Sequence, residues 1–216
     1  MQHIEFFHQD HFEKNYHRHY PLGRLSLFID FFWQTNFDHL WKKHPQGFSD
    51  VLFPNIGYTY LVNLGTPFVM QVEENKTEMK GDGFLPRLNH IECYHQTGNC
   101  IFGIKFTVSP VIFEKKVNFS EYSGTIFPLS YLLDQPVINS IKRSTSFEKR
   151  ASLLCKHYEQ ILEQYEGSLQ PIEIVTSILA DCLKQNKFDL SVEELAEKYA
   201  ISTRTLQRYF ETSTGI

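Results

Sequence analysis

The chain of 216 residues is short of cysteine. Its four, Cys93, Cys100, Cys155 and Cys182, include no C-x2-C pair and no matching histidine cluster. That pattern excludes a dense disulfide framework and argues against a structural zinc site. Free, mostly buried thiols are expected, although a hairpin could bring Cys93 and Cys100 close. No apolar run reaches the roughly 18 residues that span a bilayer. The start, MQHIEFFHQD, lacks the basic and apolar regions of a secretion signal. A cytoplasmic protein without membrane contact is therefore expected. Positive charge is not in surplus either: 21 Lys+Arg stand against 25 Asp+Glu, a net charge of −4. This argues against wholesale electrostatic binding to nucleic acid, yet leaves room for a small reading head on a near-neutral body. There is no G-x-S-x-G and no P-loop, and Gly81–Gly83 is too short to cradle a phosphate. The chain is expected to be no enzyme and to hold no metal or cofactor.

What is present is unevenly spread. Of 19 Phe, 16 lie at or before Phe127, and nine of 10 His lie at or before His95. Eight of nine Pro lie at or before Pro136, and nine of 11 Gly at or before Gly124. The aromatic, turn-rich front is β-type and the remainder α-type.

The front reads as short strands between turns. Leu25–Trp33, Val51–Phe53, Tyr58–Leu64, Pro67–Val72, Phe84–Leu88, His90–Tyr94 and Cys100–Val108 are strand candidates. Lys80–Gly83 and Thr97–Asn99 are turns, and the acidic run Glu73, Glu74, Glu78 reads as a solvated loop. About eight such strands imply a barrel or sandwich. In the back, Phe147, Ala151, Leu154, Tyr158, Ile161 and Tyr165 recur at spacings of 4 and 3, an apolar stripe along helix 146–166. The stripe has two readings: packing on its own chain, or a seam for a homodimer. Pro171 opens a further helix with Ile172, Val175, Ile178, Leu179 and Leu183 on one face.

The final stretch is the most informative. In FDLSVEELAEKYAISTRTLQRYFETSTGI, Ser191 and Glu194 form a capping box. Leu195, Ala196 and Tyr199 carry the apolar face of a short helix. Ser202 caps a second helix with Leu206, Tyr209 and Phe210 inward. Two short helices joined by about three residues are a helix-turn-helix signature. Small Ala196 stands where the helices cross. Arg204, Gln207 and Arg208 share the exposed face. Arg can grip guanine at two points and Gln adenine. Arg204 and Gln207 are the base-reading candidates. Arg208 suits base or phosphate, while Ser202, Thr203 and Thr205 suit the DNA backbone.

SVEELAEKYAISTRTLQRYFETSTGI resembles the first helix-turn-helix of the AraC/XylS family of bacterial transcription regulators. Leu195-Ala196, Ile201-Ser202, Arg204, Leu206-Gln207-Arg208, Phe210 and Gly215 carry the match. Residues 171–185 resemble that family's first DNA-binding helix. IDFFWQTNF, DVLFPNIGYTYLVNLGTPF and FGIKFTVSP resemble its β-rich sensor domain. The resemblance implies an α+β protein: a cupin-like β-barrel or sandwich, a helical linker and a helix-turn-helix. It implies an effector-sensing domain over 1–135, a linker and possible dimer helix over 136–170, and a partial DNA-binding domain over 171–216. The family carries two helix-turn-helix units. The sequence stops after one, so a truncated or short form with weak operator affinity is expected.

Trp33, Asn55, Tyr58, Tyr60 and Tyr94 are the candidates for an effector pocket, with core packing as the alternative for most of them. His17-x-His19 resembles a cupin metal motif, but no acid follows until Asp30. His90, Glu92 and His95 form a second cluster, read as hydrogen-bonded or solvated side chains on edge strands. A cupin-like metal enzyme using His17, His19, His90 or His95 is the competing class. A truncated interaction module is a third.

Overall fold

The computed structural model describes residues 2–4, 9–52, 57–72, 74–85, 90–110, 125–185 and 189–214. Its strands are β1 (Gln2–Ile4), β2 (Tyr16–His19), β3 (Ile29–Asn36), β4 (Phe48–Leu52), β5 (Thr59–Asn63), β6 (Phe68–Val72), β7 (Asn75–Met79), β8 (Gly83–Leu85), β9 (Ile91–Tyr94), β10 (Cys100–Phe106) and β11 (Phe127–Pro128). Its helices are α1 (Gln9–Lys14), α2 (Asp38–Lys43), α3 (Gln135–Arg143), α4 (Phe147–Glu163), α5 (Gln170–Gln185), α6 (Val192–Lys198) and α7 (Thr203–Thr214). The class is α+β, with sheets that are antiparallel apart from the β1–β4 pair.

Of the barrel or sandwich expected, no closed barrel is found among the described residues. The strands form a five-stranded sheet, β1-β4-β9-β6-β7, and a six-stranded sheet, β11-β8-β5-β10-β3-β2. The larger sheet is buried on both faces. Leu61 and Ile101 point into a core shared with Phe48, Phe68, Met70 and Cys93 of the smaller sheet. Their neighbours Tyr60, Val62, Phe102, Ile104 and Phe106 point into a second core shared with α3, α4 and α5. This two-sided burial explains why CIFGIKFTV is apolar almost throughout instead of alternating. Each fully buried Phe there contributes on the order of 1.5–3 kcal/mol. Gly103 is required by its partner Trp33, whose indole occupies the space a Cβ would take.

Several element boundaries differ from the sequence reading. Leu25–Leu27 belong to a 3₁₀ turn, and the strand runs from Ile29 to Asn36. The acidic run is not simply a loop: Glu78 sits on the exposed edge strand β7 and pairs with Lys80 at 3.0 Å. Glu73 lies outside the described residues. Strand β4 starts earlier than expected, and Phe53, Pro54 and Asn55 lie outside the described residues. The apolar stripe of α4 packs inward: Phe147, Ala151, Leu154, Tyr158 and, less deeply, Ile161 join the core of their own chain. Arg150, also buried, donates from Nε to Ile141 O at 3.1 Å, from Nη1 to Gln34 Oε1 at 3.0 Å, and from Nη2 to Ser144 O. It thus ties α3, α4 and β3 together. No described helix is long and apolar enough to cross a membrane.

Candidate nucleic-acid interface

The C-terminal helices are built by local signals. Ser191 Oγ accepts from Glu194 N at 3.2 Å, and Glu194 Oε2 accepts from Ser191 N at 2.7 Å. Both halves of the capping box are therefore made. These hydrogen bonds hold the Glu194 carboxyl below its usual range.

The end of α6 is a Schellman turn. Ala200 N donates to Glu197 O and Ile201 N to Ala196 O, both at 3.0 Å. Ala200 adopts φ +52°, a left-handed conformation usually given to glycine. This turn aims the chain into Ser202, whose Oγ accepts from Thr205 N at 3.1 Å and lies 2.9 Å from Thr205 Oγ1. Ser202 and Thr205 thus use their side chains to start α7.

Packing orients α7. Leu206 is 2% exposed and meets Ala196, Ile174 and Ile178 in a small core, with Tyr209 and Phe210 partly buried beside it. Arg204, Gln207 and Arg208 are consequently exposed on the opposite side, and Thr203 is half-buried. The Arg208 guanidinium stands 5.8 Å from the Tyr209 ring centroid. Residues 202–210 carry two Arg and no acid, although 171–216 as a whole holds five Lys/Arg and seven Asp/Glu. Among these, Asp181 is engaged by Lys198 Nζ at 2.6 Å. The cationic face is thus local to the first half of α7.

This unit is tied to the sheets. Ser109 N donates to Ser213 O at 2.6 Å, and Thr176 Oγ1 to Leu27 O at 3.2 Å. Ser213 and Thr214 are both buried.

The four effector candidates among the described residues do not converge. Tyr60 lines a cavity of about 70 Å³ with Leu132, Leu133, Asp134, His157, Tyr158 and Ile161. Tyr58 is buried in the same core and stacks on Phe84, 6.1 Å between centroids. Trp33 lies over Gly103 and stacks on Tyr16 at 5.6 Å, so it fills space between strands. Tyr94 donates to Gln71 Oε1 at 3.1 Å, away from the cavity. Asn55 lies outside the described residues. Asp134 and His157 line the cavity beside the two tyrosines, and burial pulls the His157 imidazole below its ordinary pKa. Neither was marked in the sequence, because residues 60 and 157 meet only through the tertiary fold.

The histidines also separate. His17 and His19 lie exposed on edge strand β2. His90 is exposed, whereas His95 is 5% exposed. Strand β9 is interior to its sheet, between β4 and β6, so the edge-strand expectation is corrected. Cys93 and Cys100 are free thiols.

No family model matches the chain, and no curated protein matches it. Solved structures similar to it include ToxT from Vibrio cholerae, at 8% identity and TM-score 0.38, covering 94% of this chain and 77% of that one. The AraC-like transcriptional activator CuxR aligns at 10% identity and TM-score 0.31, covering 96% and 84%. ToxT from Vibrio cholerae O395 aligns at 10% identity and TM-score 0.33, covering 94% and 74%. At these values the likeness carries no functional inference.

Proposed function

We propose that this chain is a DNA-binding transcription regulator of the AraC type whose reading element is α7. One observation carries the reading: a capped, Schellman-turned helix pair presents Arg204, Gln207 and Arg208 together on the solvent face of its second helix. Such a helix fits the major groove, with Arg and Gln at base edges. Thr203 remains a candidate phosphate contact, and Arg208 reads base or phosphate. Ser202 and Thr205 act first as the cap, which places backbone N–H groups at the helix start toward phosphate. Phosphate contacts make the affinity fall as salt rises.

In the same reading, residues 1–135 sense a small-molecule effector, 136–170 link, and 171–216 read DNA. The cavity under Tyr60, roofed by α4, is the candidate effector site. An occupant there biases the docking of the head on the sheets by population shift. A homodimer through 146–166 has to use the outward face of α4, including Lys149, Lys156 and Gln160, because the apolar stripe, apart from Tyr165, which is exposed beyond the end of α4, packs inside the chain. The protein works on DNA without an enzymatic step.

Selection of binding sites from a pool of randomised duplexes tests the reading. Enrichment of a short motif, bound less well with rising salt, is expected. Retention of all sequences alike, or of none, contradicts it. A panel of small metabolites that never shifts Tm or DNA affinity contradicts the effector part alone.

A further inference from the structure

We propose that Asp50, Cys93 and His95 form a binding site for one divalent cation of the zinc class, between strands β4 and β9. This proposal is independent of the DNA-reading function. The ligand atoms of these three residues lie within 4.8 Å of one another. Asp50 stands opposite Cys93 in the β4–β9 register, and His95 follows two residues after Cys93 on the same face. The topology thus brings to one face three donors that are 43 and 45 residues apart in sequence.

Hydrogen bonding orients the imidazole. Asn99 Nδ2 donates to Thr66 O at 3.1 Å, which turns Asn99 Oδ1 toward the ring. His95 Nδ1 donates to that oxygen at 2.7 Å. The other nitrogen, Nε2, lies 2.8 Å from Asp50 Oδ1. With Nδ1 carrying its own hydrogen, a bare Nε2 would set its lone pair against a carboxylate. A proton or a metal ion has to lie between them. Phe37 stacks on the ring at 3.6 Å between centroids, with Phe48 and Phe68 at 5.5 and 5.8 Å, so the ring is fixed and largely dry.

This is the arrangement of a metal-bound histidine: one nitrogen toward the ion and the other held by a hydrogen-bond acceptor. Thiolate, imidazole and carboxylate together suit zinc, with a solvent molecule in the fourth position. The Asp50 side chain is 27% exposed while that of His95 is 1% exposed, so the entry path runs past Asp50. Binding releases two protons to solvent: the Cys93 thiol proton as the Sγ–metal bond forms, and the proton between His95 Nε2 and Asp50 as the Nε2–metal bond forms. Burial first, and Asp50 second, hold that thiol up in the metal-free state.

Cobalt(II) titrated into the reduced, chelator-treated full chain is the probe. One equivalent should produce the near-ultraviolet thiolate-to-cobalt band, and zinc should displace it and raise Tm. Cys93→Ser should lose the band. Cys155→Ser should keep it, although its thiol lies 3.9 Å from His19 Nε2. Asn99→Ala should keep the band and weaken binding about 10–100-fold, as expected for a positioning residue. If Cys93→Ser does not fold, the triple variant Cys100→Ser, Cys155→Ser, Cys182→Ser decides. Its zinc-loaded X-ray absorption should show one sulfur at about 2.3 Å. No cobalt band in the wild type, a band that survives Cys93→Ser, or a triple variant without a sulfur ligand overturns the site and leaves a proton as the sole bridge.

Discussion

The sheets and the helix-turn-helix solve the burial problem differently. The larger sheet is covered on both faces, and Phe32, Phe102, Ile104 and Phe106 have no exposed surface at all. The helix-turn-helix has a core of four buried residues, Ile174, Ile178, Ala196 and Leu206. It compensates with a capping box, a Schellman turn and a second serine cap. A layered core is held by contacts distant in sequence, whereas a small head is held by its helix ends. Local stability in the head should therefore sit at the low end of the molecule's range.

Two large-to-small changes break this comparison most strongly. Phe102→Ala should cost about 3–5 kcal/mol and unfold the sheets and helices together in urea. Leu206→Ala should cost about 2–4 kcal/mol within the head. Hydrogen exchange should then rise across 191–214 while strands β5 and β10 stay protected. A uniform rise after Leu206→Ala would show that the head is part of the same cooperative unit as the sheets. The Ser109–Ser213 and Thr176–Leu27 hydrogen bonds are the contacts through which that would happen.

A smaller effect comes from the caps. Ser191→Ala removes one half of the box and should destabilise α6 by about 1 kcal/mol. Smaller still, and opposite in sign, Ala200→Gly relieves the left-handed residue of the turn. The gain should be up to about 1 kcal/mol, because the glycine's larger unfolded entropy offsets part of it. Thermal unfolding of both variants checks the pair. If Ala200→Gly destabilises, the turn is not under strain.

The same contrast explains what the sequence disclosed. Ser191, Glu194, Ile201 and Ser202 act on residues within five positions, so the helix-turn-helix could be drawn from spacing alone. CIFGIKFTV was legible as a strand, but nothing local said that it is buried on both faces or that its sheet stays open. Strand β7 was hidden because an exposed edge strand with Lys76 and Glu78 has no apolar alternation. The effector candidates were chosen as aromatics in strands. Of the described candidates only Tyr60 reaches the cavity, because its other lining residues come from 132–134 and from α4. Cys93 and His95 were both noted, but Asp50, which unites them, is 43 residues from Cys93 and follows no motif.

The central claim is that the exposed face of α7 reads bases. The direct measurement is the binding profile of wild type, Arg204→Ala and Gln207→Ala across all single-base variants of the selected site. Each change should remove discrimination at one base position, worth about 1–3 kcal/mol, and leave the other positions ranked as before. Equal weakening at every position would make these residues phosphate contacts, and unchanged profiles for both would contradict the reading of α7.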